Sequence, residues 1–275
     1  MTETDDKDGK ERIAKRMARA GVASRRDAER MILFGRVKLN GEVLTTPATV
    51  VGPGDVILVD DKPLPDAEPP RLWRYHKAKS VMTTHRDPEG RPTLFDSLPP
   101  GMPRVISVGR LDYNSEGLIL LTNDGGLARK MELPETGWTR RYRVRVHGRV
   151  DPAALAELSK GVTVDGVRYG PIEAALDREQ GTNAWLTLGL KEGKNREVRR
   201  VMEHLGLPVT RLIRVAYGPF QLGDLRPGEI DEVQRKVVRE QLGLAPKAPP
   251  AATKPAAKPA GKPAGSSPRD ARRRR

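Results

Sequence analysis

The sequence predicts an α+β protein in parts: a small helical and β unit at the amino end, a larger strand-rich unit, and a polar tail. Three observations carry this expectation. Apolar residues recur at helical spacing only in short stretches. Strand-type runs, rich in branched and aromatic residues, recur between Arg71 and Gly218. Composition also shifts sharply at residues 62–70 and again at Leu244. A chain of 275 residues, 37% hydrophobic and 31% charged, carries enough apolar material for a packed core.

Taken in order, residues 10–62 read as one compact unit. In "ASRRDAERMILFGRVKLNGEVL", Ser24 stands at a helix N-cap with Asp27 three residues later, a variant of the capping box, and Ala28, Met31 and Ile32 share one helical face. Asn40-Gly41 marks a tight hairpin turn between "RVKL" and "EVL", and "GDVILVD" reads as a further strand. The stretch "KPLPDAEPP" is proline-rich and charged, and residues 63–70 are expected to form a linker. From 71 to 243 the strand candidates are "RLWRYHK", "RVIS", "GLILLT", "RYRVRVHG", "VRYGPIEAAL", "AWLTLGL" and "TRLIRVAYG". Two helices are expected near "DPAALAELSKG" and "NREVRRVMEHLG". In the second, Val198, Val201, Met202 and Leu205 line one face, while Arg196, Arg199, Arg200 and Glu203 take the others.

Composition excludes several chemistries. The chain has no cysteine, so disulfides, thiolate metal sites and a cysteine nucleophile are ruled out. His76, His85, His147 and His204 show no ligand spacing, and no metal site is expected. The first ten residues lack the apolar segment of a secretory signal, and no run approaches the roughly 20 apolar residues that cross a bilayer, so a cytoplasmic protein without a membrane partner is expected. The net charge of +14 points to a polyanion, but its distribution matters. Residues 244–275 hold four lysines and five arginines against one aspartate, so +8 of the total falls in a Lys-Pro-Ala-repeating tail expected to be disordered. That tail is either a solvated extension or a salt-sensitive phosphate-binding arm.

In the first unit, Arg12, Lys15, Arg16, Arg19, Arg25, Arg26 and Arg30 crowd two expected helices. Taken alone this is either a solvated basic face or a nucleic-acid surface. The run "RIAKRMARAGVASRRDAERMILFGRVKLNGEVL" resembles the S-four RNA-binding domain, also called the alpha-L motif. The resemblance implies that the helical pair and the following loop grip structured RNA through phosphate and shape contacts, with Arg16, Arg25, Arg26, Arg36 and Lys38 as the contacts.

Residues 109–126 read "GRLDYNSEGLILLTNDGG". Asp112 could be a turn residue, and Asn-Asp-Gly-Gly is what a turn between a strand and a helix looks like. The full run, however, resembles the signature of the pseudouridine synthases, in the branch of ribosomal small- and large-subunit enzymes. One departure is Ser115, where the branch usually carries threonine. The resemblance implies that Asp112 is catalytic and that Arg110 contacts substrate. "TRRYRVRV" resembles the family's second motif, which implies that Tyr142 lies against the target base. "EGKNREVRRVMEHLG" resembles the third, which implies that Arg199 pairs with the aspartate and that Lys194 and Arg196 contact RNA. "TRLIRVAYGPF" supplies Leu212 as the base's apolar neighbour.

These resemblances imply a mixed, largely antiparallel sheet with a central cleft, and an isomerase that uses neither metal nor organic cofactor. An ionised carboxylate would act, and a neighbouring guanidinium favours that form. Gly109, Gly117 and Gly125-Gly126 are expected to shape turns around the site. Within the branch, "EGKNREVRRVMEHLGLPVTRLIRVAYGPFQL" looks most like the large-subunit type B enzymes. That implies a monomer acting on one uridine of 23S rRNA, free or in a ribosomal assembly intermediate, with 16S rRNA as the alternative. Two other classes compete: a non-catalytic RNA-binding assembly factor, and a two-carboxylate glycosidase or nucleosidase for which Glu116 and Asp124 would be the available second acids.

Overall fold

The computed structural model describes residues 9–243. The basic tail, 244–275, lies outside the described residues. The first unit opens with β1 (Glu11–Arg12), α1 (Ile13–Arg19) and α2 (Arg25–Leu33), followed by β2 (Val37–Leu39), β3 (Glu42–Val43), β4 (Val50–Val51), β5 (Ile57–Val59) and β6 (Lys62–Pro63). Its sheet runs β3-β2-β5-β6, while β1 pairs with β4. Ser24 caps α2 by accepting the Asp27 backbone N–H at 3.0 Å. The Asp27 carboxylate accepts from the Ser24 hydroxyl at 2.6 Å rather than from the cap's backbone, so only half of a capping box forms.

Ala28 and Ile32 of α2 pack with Ile13, Met17, Val37 and Ile57 into a core of this unit's own, with Met31 partly buried against it. The β2–β3 turn is Asn40-Gly41 with positive φ at both positions, as a two-residue hairpin needs. The β5–β6 turn has the same backbone with Asp60 and Asp61 at φ 50° and 61°. Thus the first residues of the proline-rich stretch complete this unit's sheet, and Leu64 packs on its core.

The second unit is built on a nine-stranded sheet of order β13-β14-β10-β15-β9-β7-β17, with β16 (Phe220–Gln221) on β15 and β8 (Ile106–Val108) on β9. Its strands β7 (Leu72–Lys77), β9 (Glu116–Thr122), β10 (Arg140–His147), β13 (Ile172–Gln180), β14 (Asn183–Leu190), β15 (Val209–Tyr217) and β17 (Ile230–Glu232) pair antiparallel, except at β15–β9, which is parallel. A small separate hairpin joins β11 (Val162–Val164) to β12 (Val167–Tyr169).

The continuous apolar run of β9 is explained by burial on both faces. Ile119 and Leu121 enter one core with Trp73, Tyr75, Tyr142 and Val144. Leu118 and Leu120 enter another with Leu127, Met131, Tyr217 and Val238. The helices divide accordingly. From α4 (Pro152–Glu157) and α5 (Glu197–His204), Leu155, Val198, Val201 and Met202 pack on the first face. From α3 (Gly125–Glu132) and α6 (Arg235–Leu242), Leu127, Ala128, Met131, Val238 and Leu242 pack on the second. Strand β10 alternates instead, with Tyr142, Val144 and Val146 inward and the intervening arginines toward solvent.

Two glycine expectations are corrected. Gly117 does not shape a turn: it lies inside β9 with φ +103°, and a Cβ there would stand 2.3 Å from the Arg214 carbonyl oxygen. The parallel β15–β9 junction therefore needs a residue without a side chain. Gly125 and Gly126 are not turn residues either; they open α3, capped by Asp124, which accepts the Leu127 N–H at 2.7 Å.

Candidate active site

Asp112 sits in the connection between β8 and β9, one turn before the crossing with β15. Its carbonyl accepts the Ser115 N–H at 3.0 Å, which folds Asp112–Ser115 into a tight turn and leaves the carboxylate 34% exposed. Arg199, from the first half of α5, reaches the same turn. Its Nε lies 4.0 Å from Asp112 Oδ2, its Nη2 donates to the Asn114 carbonyl at 3.1 Å, and its Nη1 donates to the Val209 carbonyl at 3.3 Å. The guanidinium is thus tied to the backbone of two elements, while its buried Nε has no hydrogen-bond partner and faces the carboxylate across a loose ion pair. Burial, and secondarily Arg196, lowers the Arg199 pKa, and Asp112 opposes that shift. An arginine tolerates this and keeps its charge.

Tyr142 and Leu212 belong to the same buried cluster as Leu111, Val144 and the inner face of α5. The register explains it: on neighbouring strands Val144 pairs with Leu212, and Tyr142, two residues earlier, points to the same side. Both side chains are buried, so a base that stacks on Tyr142 must displace neighbours.

The sequence reading missed Lys77. It ends β7, is fully buried, and its Nζ lies within hydrogen-bond distance of the carbonyls of Ala78 (3.1 Å), Asp112 (3.1 Å), Tyr113 (3.3 Å) and Ser115 (2.8 Å). One ammonium therefore gathers the backbone of the aspartate turn. Burial pulls its pKa from 10.5 down to about 8, against the attraction of Asp112 and Glu116. A lysine at the end of the strand "RLWRYHK", which also carries Arg74 and His76, was the only signal, and it resembles an ordinary strand end.

The remaining candidates divide. Arg110 is exposed at the site's rim, and Arg196 is exposed in a left-handed backbone conformation (φ 52°) at the start of α5. Lys194 is engaged locally, donating to the Arg168 carbonyl at 2.6 Å and to Glu192 at 2.7 Å. In the first unit, Arg16 bonds the buried Glu11 at 2.5 Å, Arg36 forms a bidentate pair with Asp60 at 2.8 and 2.6 Å, and Lys38 pairs with Asp61 at 2.5 Å. Among the described residues, Arg25 and Arg26 make no ion pair. Both candidates for the second acid of a glycosidase-like site are engaged elsewhere: Glu116 is held bidentately by Arg211 at 3.0 and 2.9 Å, and Asp124 caps α3.

Comparison with known proteins identifies the family. The RNA pseudouridylate synthase family matches residues 71–204, and the S4 domain family matches residues 11–57. An uncharacterized RNA pseudouridine synthase of Rickettsia bellii is 48% identical over 229 residues, spanning 83% of this chain and 99% of that protein. The chain belongs to the RNA pseudouridine synthases. It is also similar to the ribosomal large subunit pseudouridine synthase B of Escherichia coli K12, with 41% identity over 247 residues that cover 86% of this chain and 85% of that one. A crystal structure of a pseudouridylate synthase superposes with a TM-score of 0.59 at 26% identity, covering 84% of this chain and 99% of that one.

For a synthase of this family, an S4 domain and a sheet-borne catalytic unit on one chain account for both RNA recognition and isomerisation. Residues beyond that match continue the same sheet: β15 pairs with β10 and with β9, and β17 pairs with β7. Among the described residues, no helix is long and apolar enough to cross a membrane.

Proposed function

We propose that this synthase converts one uridine of 23S rRNA to pseudouridine, with Asp112 as the catalytic carboxylate. The observation that carries the reading is the approach of Asp112 and Arg199 at the junction of β9 and β15, beside a cluster holding Tyr142 and Leu212. The similarity to the Escherichia coli large-subunit enzyme supports the choice of 23S over 16S rRNA.

The reaction breaks the bond from ribose C1′ to uracil N1, turns the base, and joins C1′ to C5; the C5 proton is lost and N1 gains one, so atoms balance without a co-reactant. Asp112 serves as nucleophile or as base in this sequence, and Arg199 keeps a positive charge beside it. The uridine is extruded from the RNA at a cost of a few kcal/mol. Stacking on Tyr142, worth about 1–3 kcal/mol, offsets that cost, with Leu212 on the apolar side. Lys77 holds the turn rather than touching substrate.

In this reading residues 10–62 bind RNA, with Pro63 and Leu64 finishing their sheet and core, the rest of 63–70 connects, and 71–243 perform the chemistry, as a cytoplasmic monomer. The test is a pseudouridine map of 16S and 23S rRNA from a strain lacking the gene, rescued with wild type or Asp112→Asn. One 23S modification that disappears and returns only with wild type is the expected result. A lost 16S modification overturns the choice of subunit, and rescue by Asp112→Asn overturns the role of the carboxylate.

A further inference from the structure

The end of α2 presents apolar surface that the fold does not use. Phe34 is 78% exposed, Leu33 64% and Val43, next to Gly35, 50%. The backbone here is tightly specified. Gly35, at φ +69°, donates to the Ile32 carbonyl at 2.9 Å, and Arg36 donates to the Met31 carbonyl at 3.0 Å, which is a Schellman ending. That ending requires glycine at position 35 and asks nothing of the side chain at 34. The Phe34 ring joins no hydrophobic cluster and pairs with no other ring among the described residues. A phenylalanine held in water by a fixed cap leaves the burial energy of its ring available to a partner that covers it.

We infer that Phe34 is a stacking platform for an unpaired base of the RNA substrate, lying outside the catalytic cleft. Its surroundings select the occupant. Arg30 and Arg26 lie three and seven residues before Leu33 and share its helix face, and Arg36 follows on the other side of the cap. Arg30 is paired with Asp27 and Arg36 with Asp60, whereas Arg26 makes no ion pair among the described residues and offers its charge to the phosphates beside a base stacked on Phe34. A protein partner needs about 800 Å² on each side, whereas one aromatic side chain buries on the order of 150–250 Å², the footprint of a single base. Stacking there tolerates any base and adds affinity that phosphate contacts alone do not supply. The inference rests on the RNA substrate of the family and not on the choice between 23S and 16S rRNA.

The test uses the full chain as wild type, Phe34→Ala and Phe34→Trp, with 23S and 16S rRNA transcripts as probes at several salt concentrations. On the transcript that wild type binds more tightly, Phe34→Ala is expected to weaken binding about 5- to 150-fold, the equivalent of 1–3 kcal/mol. The salt slope should stay unchanged, because no phosphate contact is lost, and Phe34→Trp should restore affinity. Ultraviolet crosslinking of wild type to the same transcript should place a nucleotide on the peptide containing Phe34. Wild-type affinity in Phe34→Ala, failure of Phe34→Trp to restore it, or crosslinks confined to other peptides overturns the platform. A wild-type dimer that Phe34→Ala converts to monomer in sedimentation also overturns it, assigning the patch to a second copy of the chain. Catalytic failure of Asp112→Asn leaves all these readings unaffected.

Discussion

A single ammonium organises the proposed catalytic turn. Lys77 gathers the carbonyls of Asp112, Tyr113 and Ser115, which would otherwise repel one another in a site with little water. Replacing it with methionine keeps the length and removes the donors. Lys77→Met is expected to reduce kcat by about 10²-fold, the scale for a misplaced reacting group, with RNA affinity unchanged in filter binding. A pKa lowered to about 8 adds a pH signature. Below that value the charged amine offers three donors, and above it the neutral amine offers two, so turnover should fall as pH rises through about 8. Stability runs the other way: the folded state releases this proton before the unfolded state does, so the Lys77 contribution to stability increases between about pH 8 and 10.5. A kcat profile beside a melting series checks both signs. Asp112→Asn keeps the shape of the turn and removes its charge, so single-turnover product formation should fall on the order of 10³-fold or more while binding holds. Comparable turnover by this variant would make the carboxylate a turn residue.

At the scale of elements, hairpins set which cations are free. The β5–β6 turn places Asp60 and Asp61 in left-handed conformations, where they meet Arg36 and Lys38 on β2 and the loop before it. Arg36 in turn holds the Asp60 carboxyl below its usual range. Exposed pairs of this kind contribute little to stability, so their effect falls on RNA binding, where each carboxylate competes with a phosphate. The double variant Asp60→Asn, Asp61→Asn should therefore bind rRNA more tightly at low salt, with a salt slope steeper by about 1.4–1.8. An unchanged slope in the same titration would show that Arg36 and Lys38 stay clear of the RNA. Local chemistry made these elements readable in advance: Ser24 as a cap, Asn40-Gly41 as a turn, "RYRVRVHG" as a strand. Which carboxylate each basic residue meets was not readable, because Asp60 and Asp61 reach Arg36 and Lys38 only through the β2–β5 pairing.

In the whole molecule the two units meet around a cavity of about 210 Å³ lined by Arg19, Ala20, Gly21, Glu68, Pro103, Arg104 and Asn123. Each unit keeps its own core, so removing residues 1–64 should leave a folded catalytic unit with weakened rRNA affinity and relaxed site choice. Full, site-specific turnover by that truncation would oppose the division of labour. The linear order of the motifs determined the family, and local caps, turns and periodicity determined most elements, because both depend on residues adjacent in the chain. Tertiary structure decided the rest. The parallel β15–β9 contact brings Leu212's strand beside the aspartate turn and explains Gly117; β7 delivers Lys77 beneath that turn; and strand pairing in the S4 domain pairs Arg36 and Lys38 with carboxylates, while Arg25 and Arg26 make no ion pair among the described residues. The physical reason is the same in each case: electrostatic and packing neighbours are set by strands paired across long stretches of chain, which no local window of sequence contains.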